Sequence, residues 1–180
     1  MKKLAIAILL GTLSLFVWNA FSWMVLKLHD SSFKNIPESV FESTNIKEAL
    51  PEHGLYHYPG IPADGDWEAV SKRSEEGPVI TFMAYLPDGM TPFSPVSFLF
   101  SFLLNMLAVG MACYFLSQTN LSSYGSKILF VGMLGLFAGV VIEIPKGVWF
   151  HFPTQYVVAN MIDYIIGWTL VGAILGRFLK

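Results

Sequence analysis

Four long apolar stretches set the pattern of this chain, and one long polar segment separates the first stretch from the other three. The stretches cover residues 4–27, 96–117, 126–144 and 155–177, and charged side chains are rare within them. A bilayer core of about 30 Å requires about 20 apolar helical residues, so each stretch predicts a transmembrane helix. The third helix is predicted to end before a proline, with a loop over residues 145–155.

The first stretch also fits a cleaved secretory signal peptide. Lys2 and Lys3 supply the basic start, and the Ala-Phe-Ser sequence at 20–22 is similar to a cleavage site. The apolar run nevertheless continues through residues 23–26, whereas the sequence after a cleaved signal usually becomes polar sooner. We therefore interpret the stretch as a retained membrane anchor.

The polar segment, residues 28–95, is typical of a small folded module. Proline and glycine punctuate it, and its apolar positions change from helical spacing to β-branched and aromatic runs. The predicted fold is an all-α membrane bundle of four transmembrane helices with a small α+β extracytoplasmic module inserted between helices 1 and 2. Within the module we expect a helix over residues 37–50, a strand over 55–58, a helix over 67–76 capped by Asp64 or Asp66, and a strand over 79–86.

Charge segregates along the chain and orients the predicted spans. Residues 28–95 hold eleven acidic and four basic side chains, a net charge of −7, and the remaining residues hold two acidic and seven basic ones, a net charge of +5. Basic residues collect on the cytoplasmic side of membranes. Both termini are therefore predicted to be cytoplasmic and residues 28–95 extracytoplasmic, in a cell membrane of the bacterial inner-membrane type. The basic residues at the cytoplasmic ends are Lys2, Lys3, Lys127, Arg177 and Lys180.

Polar side chains inside the apolar stretches are the strongest candidates for a functional site. Asn19, Asn105, Asn160 and Asp163 lie in three of the predicted helices, about 6–15 Å below their extracytoplasmic ends at 1.5 Å per residue. We expect the three polar faces to turn toward each other. The commoner explanation is that such residues hold membrane helices together through hydrogen bonds. The alternative is a site for a proton, a cation or a small polar ligand, with Asp163 as its charge.

Glu143 and Lys146 flank the end of the third predicted helix. Their three-residue spacing favours a local ion pair, which we interpret first as an anchor at the membrane interface. The alternative places Glu143 at the mouth of the polar layer with His151 and Asp163, as a carboxylate–histidine set for proton movement.

Several classes of function are disfavoured by what the chain contains. There is no basic run typical of nucleic-acid binding, and no nucleotide-binding, metalloprotease or serine-hydrolase motif. Cys113 is the only cysteine, so no intrachain disulfide forms. His53 and His57 stand four residues apart, but a nearby glycine and proline make a helical zinc pair a poor fit. We therefore predict neither a metal nor another cofactor.

Three functions are compatible with this pattern. We favour a non-enzymatic accessory or scaffolding subunit in the lipid bilayer, which presents the acidic module to an envelope protein partner or to another copy of itself. The second is a transporter or ligand-binding protein for a small solute, an ion or protons, built on the polar layer around Asp163. The third is a membrane enzyme that acts at the outer interface through Glu143, His151 and Asp163.

Overall fold

The structure, a computed structural model, describes residues 2–60 and 65–179, which leaves the predicted cap Asp64 outside the described residues. Two compact units make up the chain: a helical unit, Met1–Lys34 with Phe93–Lys180, and an α/β unit, Asn35–Pro92. In chain order the elements are α1 (Lys2–Phe21), α2 (Glu38–Ser43), α3 (Ile46–Ala49), β1 (Gly54–Tyr58), α4 (Trp67–Glu76), β2 (Ile80–Tyr85), α5 (Pro95–Ser117), α6 (Tyr124–Phe150) and α7 (Thr154–Phe178).

Four helices in the described residues are long and apolar enough to cross a membrane. They are α5, α6, α7 and α1 together with the π-helical turn Ser22–Leu26 that extends it. Their lengths are 23 to 27 residues, about 35–40 Å at 1.5 Å per residue, which exceeds the roughly 30 Å of a bilayer core. The prediction of a mostly helical chain with four such helices and a small sheet is confirmed.

The helical unit is packed most tightly toward one end. α6 packs along α7, α7 packs against α1, and α5 packs mainly against α1. Most of the buried apolar side chains come from the first halves of α1 and α6 and the second halves of α5 and α7, and Leu15 lies just past the middle of α1. Buried polar side chains lie at both ends: Thr12 and Lys127 near this core, and Ser22, His29, Glu143 and Asp163 toward the opposite end. The core residues are Ala7, Leu15, Val109, Ala112, Cys113, Leu116, Val131, Val171 and Leu175.

The third membrane helix is longer than predicted. Instead of ending at residue 144, α6 continues through Pro145 to Phe150, so residues 145–150 are helix and not loop. Proline removes one backbone donor, but membrane helices tolerate it where neighbouring helices support the backbone. Packing against α7 supplies that support, because a Cβ added at Gly147 would lie only 3.3 Å from Cγ2 of Val157.

The α/β unit contains the predicted strands and second helix. β1 pairs with β2 in antiparallel register, with Gly54 opposite Tyr85. α4 is capped by Asp66, whose side chain accepts a hydrogen bond from the backbone N–H of Ala69 at 3.0 Å. The predicted helix over residues 37–50 is instead divided into α2 and α3. The division falls at Thr44, whose backbone is extended, within the run Ser43-Thr44-Asn45, and all three residue types are weak helix formers.

Candidate functional site

Asp163 on α7 is a buried carboxylate with a polar group beside each of its oxygens. The hydroxyl of Ser22 donates a hydrogen bond to its Oδ1 at 2.5 Å, and Nε2 of His29 lies 3.5 Å from its Oδ2. Ser22 and His29 are 0% and 1% exposed. The segment that follows α1 therefore encloses the one acidic side chain of α7.

An irregular stretch of backbone brings these two partners to Asp163. Ser22 begins the π-helical turn at the end of α1, and π-helical turns are rare and frequently occur at functional sites. Lys27 then adopts the left-handed conformation, with φ of 52°, which redirects the chain. His29 lies parallel to the indole of Trp23, with ring centroids 3.9 Å apart. The ring of Tyr156 from α7 lies at 72° to the same imidazole, with ring centroids 6.3 Å apart.

A cavity of about 260 Å³ lies beside Asp163, with a wall formed by α1, α5 and α7. We call it the polar cavity. Four residues predicted from the sequence line it together: Asn19 from α1, Asn105 from α5, and Asn160 and Asp163 from α7. Their convergence follows from the cost of exposing polar groups to lipid, which turns polar faces toward the bundle interior.

The three asparagine carboxamides that line the polar cavity differ in their hydrogen bonding. Asn160 donates from Nδ2 to the carbonyl of Tyr156 one turn earlier on α7, at 2.8 Å. Asn19 and Asn105 form no side-chain hydrogen bond with another described residue. A carboxamide offers two donors and an acceptor with two lone pairs. Two sets of donors and acceptors are therefore available to whatever enters the cavity.

α1 approaches α7 closely beside Asp163, because the residue one turn after Asp163 is a glycine, Gly167. A Cβ added at Gly167 would lie 2.8 Å from Cδ1 of Leu15 and 3.1 Å from Cδ1 of Trp18. The indole N–H of Trp18 is buried there without a hydrogen-bond partner among the described residues. A side chain at position 167 would separate the two helices and weaken the contacts to the carboxylate.

Glu143 lies behind the cavity wall and does not line it. It is fully buried on α6, Lys146 donates to its Oε1 at 2.8 Å, and the hydroxyl of Tyr164 donates to the same oxygen at 3.4 Å. Tyr164 itself lines the polar cavity. The predicted ion pair is therefore present, with the Glu143 carboxylate buried and the Lys146 side chain 32% exposed.

His151 is not brought into this set. It is exposed and caps the C-terminus of α6 in the left-handed conformation, with φ of 53°, and it is not part of the lining of the polar cavity. Of the alternative grouping of Glu143, His151 and Asp163, only Asp163 lines the polar cavity. Another histidine, His29, occupies the position beside the carboxylate.

Sequence reasoning missed His29 because no local pattern identifies it. It lies in the polar segment after the first apolar stretch, outside any predicted span, and its neighbours have no helical or strand periodicity. Ser22 is indicated by the sequence, because it is three residues after Asn19 and this spacing predicts that the two share a helix face. Neither position indicates by itself that Asp163 is the partner.

The arrangement is not that of a nucleophilic serine triad. In serine hydrolases the histidine lies between the serine and the aspartate, whereas here Asp163 lies between Ser22 and His29, and neither ring nitrogen of His29 has a hydrogen-bond partner among the described residues. In the same part of the chain, no group of three or more His, Cys, Asp or Glu side chains could hold a metal ion. What remains is one acidic group and several amide groups around a cavity.

No protein-family model, curated protein or solved structure matches this chain. The function is therefore argued from the geometry of the site.

Proposed function

We propose that this protein is a multi-pass membrane protein that binds a small cationic solute in its polar cavity, with Asp163 as the charged contact. The observation that carries the proposal is the convergence of Asn19, Asn105, Asn160 and Asp163, from three helices, on one cavity of about 260 Å³. A carboxylate within a membrane helix costs about 2.5–3.5 kcal/mol on insertion scales. Helices that only needed adhesion could obtain it from the asparagines alone.

The charge of the site favours a cation. Ser22 contributes one hydrogen bond to Asp163, and His29 opposes its negative charge only while the imidazole is protonated. A cation in the cavity beside the carboxylate supplies the missing positive charge, and the carboxamide oxygens of Asn19 and Asn105 accept hydrogen bonds from an ammonium group. An anion in the same place would meet the carboxylate directly.

The size of the cavity sets the scale of the solute. With about 30 Å³ for each water in the liquid, a cavity of about 260 Å³ holds a cation with part of its hydration shell or an organic ion of a few heavy atoms. Four helices are few for a continuous aqueous pathway. Transport, as distinct from binding, would therefore require assembly of several copies.

In the proposed orientation the protein lies in a bacterial inner membrane, with both termini in the cytoplasm. Lys127 at the start of α6 donates to the carbonyl of Leu179 after α7, at 2.8 Å, so these two basic ends lie together. The positive-inside tendency supports a cytoplasmic location for them. The polar cavity then belongs to the extracytoplasmic half of the bundle.

Binding is tested with the purified protein in lipid nanodiscs, by measuring the unfolding temperature in the presence of sodium, potassium, methylammonium or butylammonium chloride. A ligand present at 100 times its Kd stabilises the folded state by about 2.7 kcal/mol, so at least one cation is expected to raise the unfolding temperature. The Asp163→Asn variant is expected to lose that rise, because it removes the charge and keeps the shape.

The matched control is Glu143→Gln, which makes the same chemical change at a buried carboxylate that does not line the cavity. It is expected to keep the cation-dependent rise even if its stability without ligand is lower. The proposal is wrong if Asp163→Asn responds to every cation as the original protein does, or if Glu143→Gln alone removes the response.

A second candidate function is the accessory subunit that we favoured from the sequence. It is supported by the α/β unit, which is compact by itself and carries ten acidic and three basic side chains over residues 35–92. Purification from native membranes in mild detergent, followed by mass spectrometry, would identify a stoichiometric partner. Retention of that partner after deletion of residues 35–92 would count against this function.

A further inference from the structure

A second opening lies beside the polar cavity, between α1 and α5. Its volume is about 460 Å³, and apolar side chains such as Phe16, Ala20 and Phe98 form most of its lining. We call it the apolar groove. Asn19, Trp23 and Asn105 line both the groove and the polar cavity, so the two spaces adjoin at these three side chains.

The apolar groove opens to the outside of the bundle. Met24 and Leu104 in its lining are 58% and 64% exposed, and on a membrane-spanning helix an exposed apolar side chain faces lipid. The groove is therefore reachable sideways from the hydrocarbon region, whereas the charged group lies at the inner end, in the polar cavity.

Phe93 lines the same groove just before α5 begins, and its backbone is strained. Its φ is 54°, in the left-handed region that an aromatic residue rarely occupies. Its side chain is 75% exposed. Strained backbone conformations cluster at ligand clamps and switch regions, and this one holds an aromatic residue at the edge of the groove.

Resting on the proposed function, we infer that the ligand of the polar cavity is a single-chain amphiphile with an amine head group. The ammonium group binds beside Asp163, the carboxamides of Asn19 and Asn105 surround the junction, and the hydrocarbon chain occupies the apolar groove. Ligand sites typically combine apolar lining with a few convergent polar groups, and here the two kinds of lining belong to two adjoining spaces. A fully water-soluble cation would leave the groove unused, and a fatty acid would bring a second carboxylate to Asp163.

The test uses dodecylamine that carries a photoreactive diazirine at the end of its chain, added to the protein in proteoliposomes. After illumination, mass spectrometry identifies the labelled peptides. Labelling is expected on the parts of α1 and α5 that line the groove, and unlabelled dodecylamine is expected to reduce it at least tenfold. Dodecanoate, which has the same chain with a carboxylate head, is expected not to compete.

Two variants block the groove without touching the cavity chemistry. Ser101→Trp and Ala20→Phe each add a large side chain to the lining, and using both guards against a folding defect in one of them. Leu107→Trp is the matched control, because Leu107 is also lipid-exposed on α5 and lies outside the groove lining. Dodecylamine labelling should fall about tenfold in both groove variants and stay unchanged in the control.

Butylammonium separates this inference from the proposed function, because its short chain does not need the groove. The inference is supported if the groove variants lose dodecylamine labelling and keep the butylammonium-dependent rise in unfolding temperature. It is overturned, with the proposed function intact, if the groove variants label with dodecylamine as the original protein does while butylammonium still binds through Asp163. Both fail if Asp163→Asn changes neither the labelling nor the butylammonium response.

Discussion

Gly135 marks a very close approach of α6 to α7, and its replacement by alanine tests the packing behind the polar cavity. An added Cβ would lie 2.5 Å from the carbonyl oxygen of Tyr164 and 2.7 Å from Cβ of Trp168. Favourable contacts between heavy atoms begin at about 3.5 Å, so the two helices would have to separate by about 1 Å. The nearest atom belongs to the backbone, and a rotamer change cannot remove it.

The size of the effect follows from two opposing contributions. Overpacking of a dense interior costs about 1–3 kcal/mol, and replacing glycine by alanine within a helix returns up to about 1 kcal/mol. We therefore expect Gly135→Ala to lower the free energy of unfolding by about 1–2 kcal/mol, a factor of roughly 5 to 30 in the folded-to-unfolded ratio. Since Tyr164 and Trp168 also line the polar cavity, affinity for the cation should fall as well.

The assay is unfolding of the protein in mixed micelles by increasing amounts of dodecyl sulfate, followed by tryptophan fluorescence. Gly139→Ala and Gly110→Ala are the controls. The nearest atom to an added Cβ is 3.5 Å away at Gly139, an ordinary contact, and nothing lies within 4 Å at Gly110. Both controls should be as stable as the original protein or slightly more so. Equal stability of all three variants would refute the close approach of α6 and α7.

Two further predictions concern the carboxylate and the orientation. Ser22→Ala removes the hydrogen bond to Oδ1 of Asp163, and loss of a hydrogen bond to a charged group should lower the free energy of unfolding by about 1.5–3 kcal/mol in the same micelle assay. The control is Ser117→Ala, which removes an exposed hydrogen bond to the backbone and should change the free energy of unfolding by less than about 0.5 kcal/mol. Equal losses of stability in the two variants would contradict the buried contact between Ser22 and Asp163. The orientation is tested with single-cysteine variants made in a Cys113→Ala background and a membrane-impermeant maleimide added to intact cells. The maleimide should label His57→Cys and leave Gln118→Cys unlabelled. The reverse result would mean that the orientation is the opposite of the one proposed.

The positions of the membrane helices are a local property of the sequence. Hydropathy over about 20 residues and the 1.5 Å rise of a helix identify a span whatever it packs against. Local residue preferences and turn residues likewise predict the strand over residues 55–58 and the helix over 67–76, and both agree with the observed bounds within one residue. The spacing of Asn160 and Asp163 on one helix face is equally local. That their face meets Asn19 and Asn105 follows from a general rule, since polar groups in lipid-embedded helices turn inward.

Tertiary structure alone decided which groups touch. Ser22 and Asp163 are 141 residues apart, and their contact depends on the rotation of α1, on the turn that redirects the chain at Lys27, and on the space that Gly167 leaves. The same turn places His29 beside the carboxylate, and no hydrophobic periodicity in the sequence predicts that turn. Packing against α7 likewise supports the continuation of α6 beyond Pro145. The same packing leaves no room for a side chain at Gly135, whereas Gly139, four residues away, has room for a Cβ. The physical reason is that hydropathy and helical spacing are summed along the chain, whereas the partners of a side chain are set by the relative placement of helices that are distant in sequence.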